Sequence, residues 1–387
     1  MGASQVWRLN RMRILITGGG TGGHVYPALA VAAALNDEKV PSSLLYVGTS
    51  SGIEADLVER HNIPFVPIKA GALRGRSPLR FLINLGEMAW GIIQSFFILR
   101  RFRPQAILAT GGYVCAPVVF AGWLRRIPIL IYLPDVEPGW AIRFLAVFAT
   151  KVAVTSGKSK AFLPSHKVVK TGYPVRPAFA KLDKRTAKAS LQLDPHLKTL
   201  LIYGGSLGAR SINMAVSKIL PQLLDLCQII HLSGGRDEAW LQELRAKLPE
   251  GQSQRYKLYA YLHDEFPPAL AAADLAISRA GAAIMGEFPA VGLPSIIIPY
   301  PYAGAHQRHN AQFMVERGAA IELEDSGLDA LLPTIQRLLN DEGFLAEMSE
   351  NARSLARPDA AEKIAALLRE IYKGKANESQ PEFSCAN

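Results

Sequence analysis

The sequence predicts an α/β protein of two doubly wound parallel-sheet domains, on three observations. Short apolar runs alternate with helix-period segments along most of the chain. Thr171-Gly172-Tyr173-Pro174-Val175-Arg176-Pro177 interrupts that alternation with Gly and Pro and no periodicity, and the rhythm then restarts. Each half also places a glycine-rich turn directly after its first strand. At 387 residues the chain has the length of two, perhaps three, ordinary domains, and a 49% apolar share lets each half bury a core without staples.

In the first half the strands are read at 13–17, 43–47, 65–68, 106–109, 129–133 and 152–155, with helices at 28–35, 53–61, 79–100 and 114–124 between them. The strands are nearly continuous apolar runs, as expected where helices cover both faces of a parallel sheet, and right-handed crossovers connect them. In the second half the strands are 199–203, 228–232, 257–260, 275–278 and 295–299, and the helices include 209–224, 237–248, 282–291 and 307–317. A last helix, 358–373, begins with Pro358 at a first-turn position, carries Asp359 and Glu362 near its positive end, and lines Ile364, Leu367, Leu368 and Ile371 along one stripe. The expected domains are therefore 12–172 and 176–356, with helix 358–373 docking on one of them and 1–11 and 375–387 flexible. Ligands of such folds bind beyond the carboxyl ends of the strands, so two facing domains are expected to form a cleft.

Composition narrows the chemistry. Lys plus Arg number 43 against 33 Asp plus Glu, a formal charge of +10, which suits an acidic partner such as substrate phosphates, nucleic acid or anionic lipid, or simply a basic, soluble surface. Nucleic acid has little support, because the basic residues are not interleaved with aromatics. Three cysteines, Cys115, Cys227 and Cys385, without a C-x-x-C, argue against a disulfide framework or structural zinc and fit a reducing compartment. The apolar run after Arg13 is too short for a signal peptide. Stretch 81–99 is the most membrane-like, but Asn84, Glu87 and Gln94 interrupt it and it is read as too short and too polar to span. Leu73-Arg74-Gly75-Arg76 and Arg80 precede it, and Arg100, Arg101 and Arg103 close it. Apolar surface framed by arginine suits a helix lying on an anionic membrane face, although an ordinary core helix with polar ends has the same pattern.

The first glycine cluster, Gly18-Gly19-Gly20-Thr21-Gly22-Gly23-His24, contains G-x-G-x-x-G. A nicotinamide-dependent oxidoreductase would also want a carboxylate at the end of the second strand to hold a ribose. That strand runs into Gly48-Thr49-Ser50, which speaks against the class. What remains is a set of backbone amides at a helix N-terminus that glycine lets an anion approach. His24 at the loop's mouth is either a proton acceptor or a packing and capping residue. Gly204-Gly205-Ser206-Leu207-Gly208-Ala209-Arg210 occupies the equivalent place in the second half and suits a diphosphate. Ser278-Arg279-Ala280-Gly281-Ala282-Ala283 leads into Glu287, read as lying one to two turns inside its helix and semi-buried, able to hold vicinal hydroxyls such as those of a ribose. His306 and His309 lack a third metal ligand, and no D-x-D occurs, so no metal and no cofactor are expected.

Together these motifs resemble the MurG family of bacterial glycosyltransferases, glycosyltransferase family 28, over about residues 12–369. The resemblance is carried by 18–24 with Val25-Tyr26-Pro27-Ala28, by Ile53-Glu54-Ala55-Asp56-Leu57, Leu73-Arg74-Gly75, Gly111-Gly112-Tyr113-Val114, 172–176, 204–210, 280–287 and His306-Gln307. It implies a GT-B fold, with helix 358–373 crossing back to join domain 12–172, and an inverting enzyme that transfers N-acetylglucosamine from UDP-N-acetylglucosamine to undecaprenyl-linked lipid I. The product would be lipid II for peptidoglycan synthesis, and so for cell wall biogenesis, cell shape and cell division, made peripherally at the cytoplasmic face of the membrane. It implies donor contacts from Thr21, Gly22, Gly23, Asp135, Arg176, Ser206, Leu262 (by backbone), Ala282, Ala283, Ile284, Met285, Gly286, Glu287 (ribose) and Gln307 (sugar). Gly20 and Tyr113 fall on the acceptor side, and His24 is the candidate base. Where the family reads His-Glu-Gln-Asn this chain has Tyr132-Leu133-Pro134-Asp135, which puts a carboxylate where an amide would touch the sugar nucleotide. The alternatives are a same-fold transferase for another lipid acceptor or donor sugar, and a non-catalytic nucleotide-sugar-binding subunit.

Overall fold

The computed structural model describes residues 12–36, 42–50, 52–71, 78–302 and 306–378. The expectations for 1–11, for Leu73-Arg74-Gly75-Arg76 and for the end of the tail lie outside these residues. The chain divides into two compact units, one formed by residues up to 176 together with those from 359 onward, the other by 177–358.

The first unit runs β1 (Arg13–Thr17), α1 (Gly22–Asn36), β2 (Ser43–Gly48), α2 (Glu54–Arg60), β3 (Phe65–Pro67), α3 (Pro78–Phe102), β4 (Ala106–Ala109), α4 (Cys115–Leu124), β5 (Ile129–Leu133), α5 (Trp140–Leu145), β6 (Lys151–Val154) and β7 (Val168–Lys170). Its strands are all parallel, in the order β3-β2-β1-β4-β5-β6-β7. The strand order reverses between β1 and β4. Leu15, Val47, Ile107, Ile131 and Val152 from five strands share one core with Leu99 of α3 and Val118 of α4.

The second unit runs α6 (Lys184–Ser190), β8 (Thr199–Tyr203), α7 (Arg210–Leu226), β9 (Gln228–Leu232), α8 (Glu238–Ala246), α9 (Glu250–Arg255), β10 (Tyr256–Tyr259), α10 (Phe266–Ala272), β11 (Leu275–Ser278), a 3-10 turn (Ala282–Met285), α11 (Glu287–Val291), β12 (Ser295–Ile297), α12 (His306–Val315), β13 (Ala320–Glu322), α13 (Leu331–Asn340) and α14 (Glu342–Ser354). The sheet is parallel, β10-β9-β8-β11-β12-β13, and reverses between β8 and β11. Leu200, Ile202, Ile229, Ile277 and Ile296 meet Ile212, Val216 and Leu220 of α7 and Ile335 and Leu338 of α13 in its core.

The last helix, α15 (Ala360–Glu378), belongs to the first unit, where it packs on α1 and buries Ala360, Ile364 and Leu368. Gln105 Nε2 donates to its Tyr372 hydroxyl at 2.8 Å. Helix α15 extends to Glu378, four residues into the stretch expected to be flexible. Strands β7 and β13 are also absent from the sequence reading. At three residues each, they are too short to show a period.

Helix α3 is 25 residues long and covers the helix expected at 79–100, but by length and composition alone it is long and apolar enough to cross a membrane, which the reading of 81–99 as too short and too polar did not allow. Its inner stripe is Gly91, Ser95 and Leu99, four residues apart and buried. A side chain at Gly91 would collide with the Lys69 carbonyl and Pro117. The opposite face carries Leu82, Trp90 and Phe97 at 63%, 55% and 62% exposure. Arg80, Arg100 and Arg101 are exposed at its ends.

Candidate active site

Both glycine clusters read from the sequence stand at the reversal points of their sheets, where the diverging connections leave room beyond the strand ends. In the first unit Thr17 pairs with Ala109, so Gly18 and Thr110 leave the sheet side by side. Gly19 N donates to Gly111 O at 3.2 Å, and the Tyr46 hydroxyl donates to Gly18 O at 2.9 Å. Gly20 has φ +85°, a left-handed conformation that glycine adopts without strain, and Tyr113 lies beside it. Helix α1 begins at Gly22, six residues before the start read from periodicity, because the glycines mask its first turn. The amides of Thr21, Gly22 and Gly23 thus stand at a helix N-terminus, with no turn before them to take their hydrogen bonds. Two amides counted as available are engaged instead, Gly19 as above and Gly20 by the Glu54 carboxylate at 3.2 Å.

His24 is the third residue of α1 and half-buried. Its Nδ1 lies 2.9 Å from the Thr110 carbonyl oxygen, and the Thr110 hydroxyl donates to the His24 carbonyl at 2.7 Å. A carbonyl only accepts, so Nδ1 carries the proton of the neutral ring and Nε2 keeps its lone pair. Burial lowers the imidazole pKa below its ordinary value, while the Asp135 charge and the Thr110 carbonyl act in the opposite sense. A neutral ring with one fixed N–H and one free lone pair is the form a general base requires. Gly111, at φ +115°, carries no Cβ because one would run into this ring.

The segment that departs from the resembled family is mostly core. Tyr132, Leu133 and Pro134 are buried, and the Tyr132 hydroxyl bonds Thr155 Oγ1 at 2.8 Å. Only Asp135 is half-exposed, and its charge is felt at His24. Arg176 places its guanidinium 4.5 Å from the ring centroid of Tyr26 on α1.

In the second unit Tyr203 pairs with Ser278, so Gly204 and Arg279 emerge together. Ser206 is exposed at the tip of the first turn. Arg279 is buried and fixed. It pairs with Asp325 at 2.6 Å, donates to Ser211 Oγ at 2.6 Å and to the Ile298 carbonyl at 3.2 Å, and lies 5.2 Å from the Tyr300 ring centroid. Ala282, Ile284 and Met285 turn their side chains inward, so residues 282–286 offer a ligand chiefly backbone. Glu287 corrects the reading made from sequence: it opens α11 directly after Gly286 and is buried, because the segment breaks into a 3-10 turn and a new helix. Leu262 is buried just after β10. Gln307 Oε1 accepts the Tyr300 amide at 2.8 Å, which leaves its NH₂ as the outward donor. Among the described residues no group of three or more His, Cys, Asp or Glu is arranged to hold a metal.

Three features escaped the sequence reading. Glu54, in the 53–57 motif, is fully buried beneath the first glycine loop. Ser233-Gly234-Gly235 follows β9 as a further glycine turn, with Gly234 at φ +76° and tight against Leu207 and Gly208. The strand-then-glycine signal used elsewhere identifies it equally well. Asp237, just after that turn, is buried and holds Arg210 and Asn213.

Comparison with known proteins accords with this geometry. Residues 14–154 match the glycosyltransferase family 28 N-terminal domain, and residues 199–364 match the family 28 C-terminal domain. A UDP-N-acetylglucosamine--N-acetylmuramyl-(pentapeptide) pyrophosphoryl-undecaprenol N-acetylglucosamine transferase of Roseiflexus sp. (strain RS-1) is 42% identical, covering 93% of this chain and 95% of that one. A protein of the same description from Bacillus subtilis (strain 168) is 36% identical over 94% of this chain and 100% of its own. The crystal structure of Acinetobacter baumannii MurG superposes with a TM-score of 0.69 at 26% identity, covering 93% of this chain and 99% of that one.

Proposed function

The chain belongs to glycosyltransferase family 28, a GT-B enzyme family, and from that premise we propose that it transfers N-acetylglucosamine from UDP-N-acetylglucosamine to lipid I, yielding lipid II and UDP. The observation that carries this reading is the presence of both family domains, each with its glycine loop at the reversal point of its sheet. The donor's diphosphate and uridine belong to the second unit. The amides around Ser206 and the 282–286 turn meet phosphate, Glu287 accepts from ribose hydroxyls, the Leu262 backbone meets uracil, and Gln307 donates to the sugar. In the first unit, Arg176 and the amides of Thr21, Gly22 and Gly23 contribute to the donor's phosphates and Asp135 to the sugar nucleotide, while Gly20 and Tyr113 border the acceptor. His24 Nε2 takes the proton of the attacking acceptor hydroxyl, the new C–O bond forms at the anomeric carbon as its bond to the diphosphate breaks, and configuration inverts. Helix-terminal amides stabilise the charge that grows on departing UDP.

The lipid acceptor places the reaction at a membrane, on the cytoplasmic face where nucleotide sugars are available. Helix α3 lies on that surface rather than across it. Its Gly91–Ser95–Leu99 stripe is embedded in the protein, which a spanning helix would have to tear free, while its arginine-framed outer face suits anionic headgroups.

The test is UDP release from UDP-N-acetylglucosamine with and without a soluble lipid I analogue. Acceptor-dependent release with a disaccharide product is expected. A folded, UDP-binding protein that releases none has another sugar or acceptor, and Asp135→Asn is then the first reversion to make.

A further inference from the structure

Each unit presses a buried carboxylate against its own glycine loop, from the same place in the fold. Glu54 opens α2, the helix after the second strand of the first unit. Its Oε1 accepts the Thr49 amide at 2.9 Å and the Thr49 hydroxyl at 2.6 Å, and its Oε2 accepts the Gly20 amide at 3.2 Å. Gly19 and Gly52 leave room for it, because a Cβ on either would strike the carboxylate. Asp237 stands at the N-cap position of α8, the helix after the second strand of the second unit, with its side chain turned away from the helix amides. One of its oxygens pairs with Arg210, the first residue of α7 and directly after the glycine loop, and the other accepts Asn213 Nδ2 one turn on at 2.8 Å. The same Asn213 amide group donates to Ser233 O at 2.9 Å, and Asn213 Oδ1 faces His231 Nε2 at 3.0 Å, so Asp237 joins the loop to the buried His231 and Tyr256.

We infer that Glu54 and Asp237 are equivalent positioning residues, each fixing the glycine loop of its unit in the conformation that meets substrate. A carboxylate only accepts, so each can hold only donors: Glu54 holds the Gly20 amide of its loop besides the amide and hydroxyl of Thr49, and Asp237 holds Arg210 and Asn213 of the helix its loop feeds. In dinucleotide-binding folds an acid near the end of the second strand reaches out to a ribose; here the acid turns inward and grips the loop. Hydrogen bonds from Asp237's neighbours, Arg210 and Asn213 among them, outweigh its burial and hold its carboxyl below the ordinary value, as expected of an anchored anion.

The assignment of one loop to acceptor and the other to UDP rests on the transfer reaction proposed above. Glu54→Gln keeps the volume but turns an –NH₂ toward a donor. It is expected to lower kcat/KM for the acceptor about tenfold or more, the usual scale for a lost charged hydrogen bond and a displaced reacting group, with the Kd for UDP raised by less than in Asp237→Asn, because the 21–23 amides supply only part of the phosphate contacts. Asp237→Asn is expected to raise the Kd for UDP by about tenfold on the same scale, with acceptor KM unchanged. Thr49→Val strips a donor from the far side of Glu54 and leaves the Gly20 contact, so it reports the purely structural cost. Amide hydrogen exchange at 18–23 and 204–210 reads loop fixation without any substrate, and each loop is expected to lose protection only in its own variant. If wild-type enzyme released no UDP, the proposed reaction would fall while hydrogen exchange still decided the anchoring. Unchanged exchange in both variants, or a Thr49→Val variant indistinguishable from Glu54→Gln in exchange and kcat/KM, would overturn the inference.

Discussion

His24 draws its suitability as a base from two neighbours with opposite effects. The Thr110 carbonyl orients it, burial keeps it neutral, and Asp135 pulls its pKa back toward the ordinary value. His24→Ala is expected to reduce turnover by roughly 10²–10⁴-fold with UDP affinity intact, measured by steady-state kinetics and calorimetry. Asp135→Asn removes the charge that favours imidazolium, so the acid limb of the kcat/KM profile is expected to move to lower pH. His231 makes a second pH prediction. It is buried, donates through Nε2 to Asn213 Oδ1, accepts the Tyr256 hydroxyl at Nδ1 at 2.7 Å, and has a pKa pushed down to about 3 by burial. The unfolded chain therefore binds one more proton than the folded one between pH 3 and 6.5. Stability of the second unit is full above pH 6.5 and falls as pH drops through that window, by up to about 1.4 kcal/mol per pH unit from this group. Denaturant unfolding of His231→Gln is expected to show a flatter acid dependence.

At the level of elements, α3 separates two kinds of substitution along one helix. Leu99→Ala, on the embedded stripe, is expected to cost about 2–5 kcal/mol in denaturant unfolding. Trp90→Ser with Phe97→Ser, on the exposed face, is expected to leave stability nearly unchanged and to weaken binding to anionic vesicles by about tenfold or more, since each aromatic contributes roughly 1.5–3 kcal/mol when buried. Sedimentation with vesicles at rising salt checks both the apolar and the arginine contributions. The sequence already showed most such elements: β1, β4, β5, β8, β9 and β11 have the bounds expected from their apolar runs, because a strand covered on both faces cannot hide its composition. Residues 282–291 were harder. A helical period is blind to Gly286, which ends a 3-10 turn and starts α11 so that Glu287 sits at its head. Glu54 and Asp237 were invisible for another reason. A carboxylate on a helix reads as a solvated charge until the fold brings a loop over it.

Across the whole molecule the two units carry separate cores, so their unfolding is expected to separate too. UDP, whose diphosphate and uridine are held mainly by the second unit, should raise the transition of that unit more than that of the first, by linkage. Leu368→Ala on α15 should lower only that of the first, by about 2–5 kcal/mol, with differential scanning calorimetry resolving the two. The division itself was legible, since the Gly/Pro break at 171–177 brackets the observed passage at Arg176. The place of the last helix follows from the family resemblance alone, because an apolar stripe states that a helix docks but not where.

That helix sets an order on synthesis. A ribosome delivers β1 to β7 first, yet the surface of α1 that receives Ile364 and Leu368 stays open until the chain has passed through residues 177–358 and returned. The second unit, contiguous in sequence, closes while it is being made; the first waits for its final turns. On a translating ribosome the earliest-made half is thus the last to mature, and a nascent chain arrested short of residue 360 should already bind UDP while its first half is still open to protease.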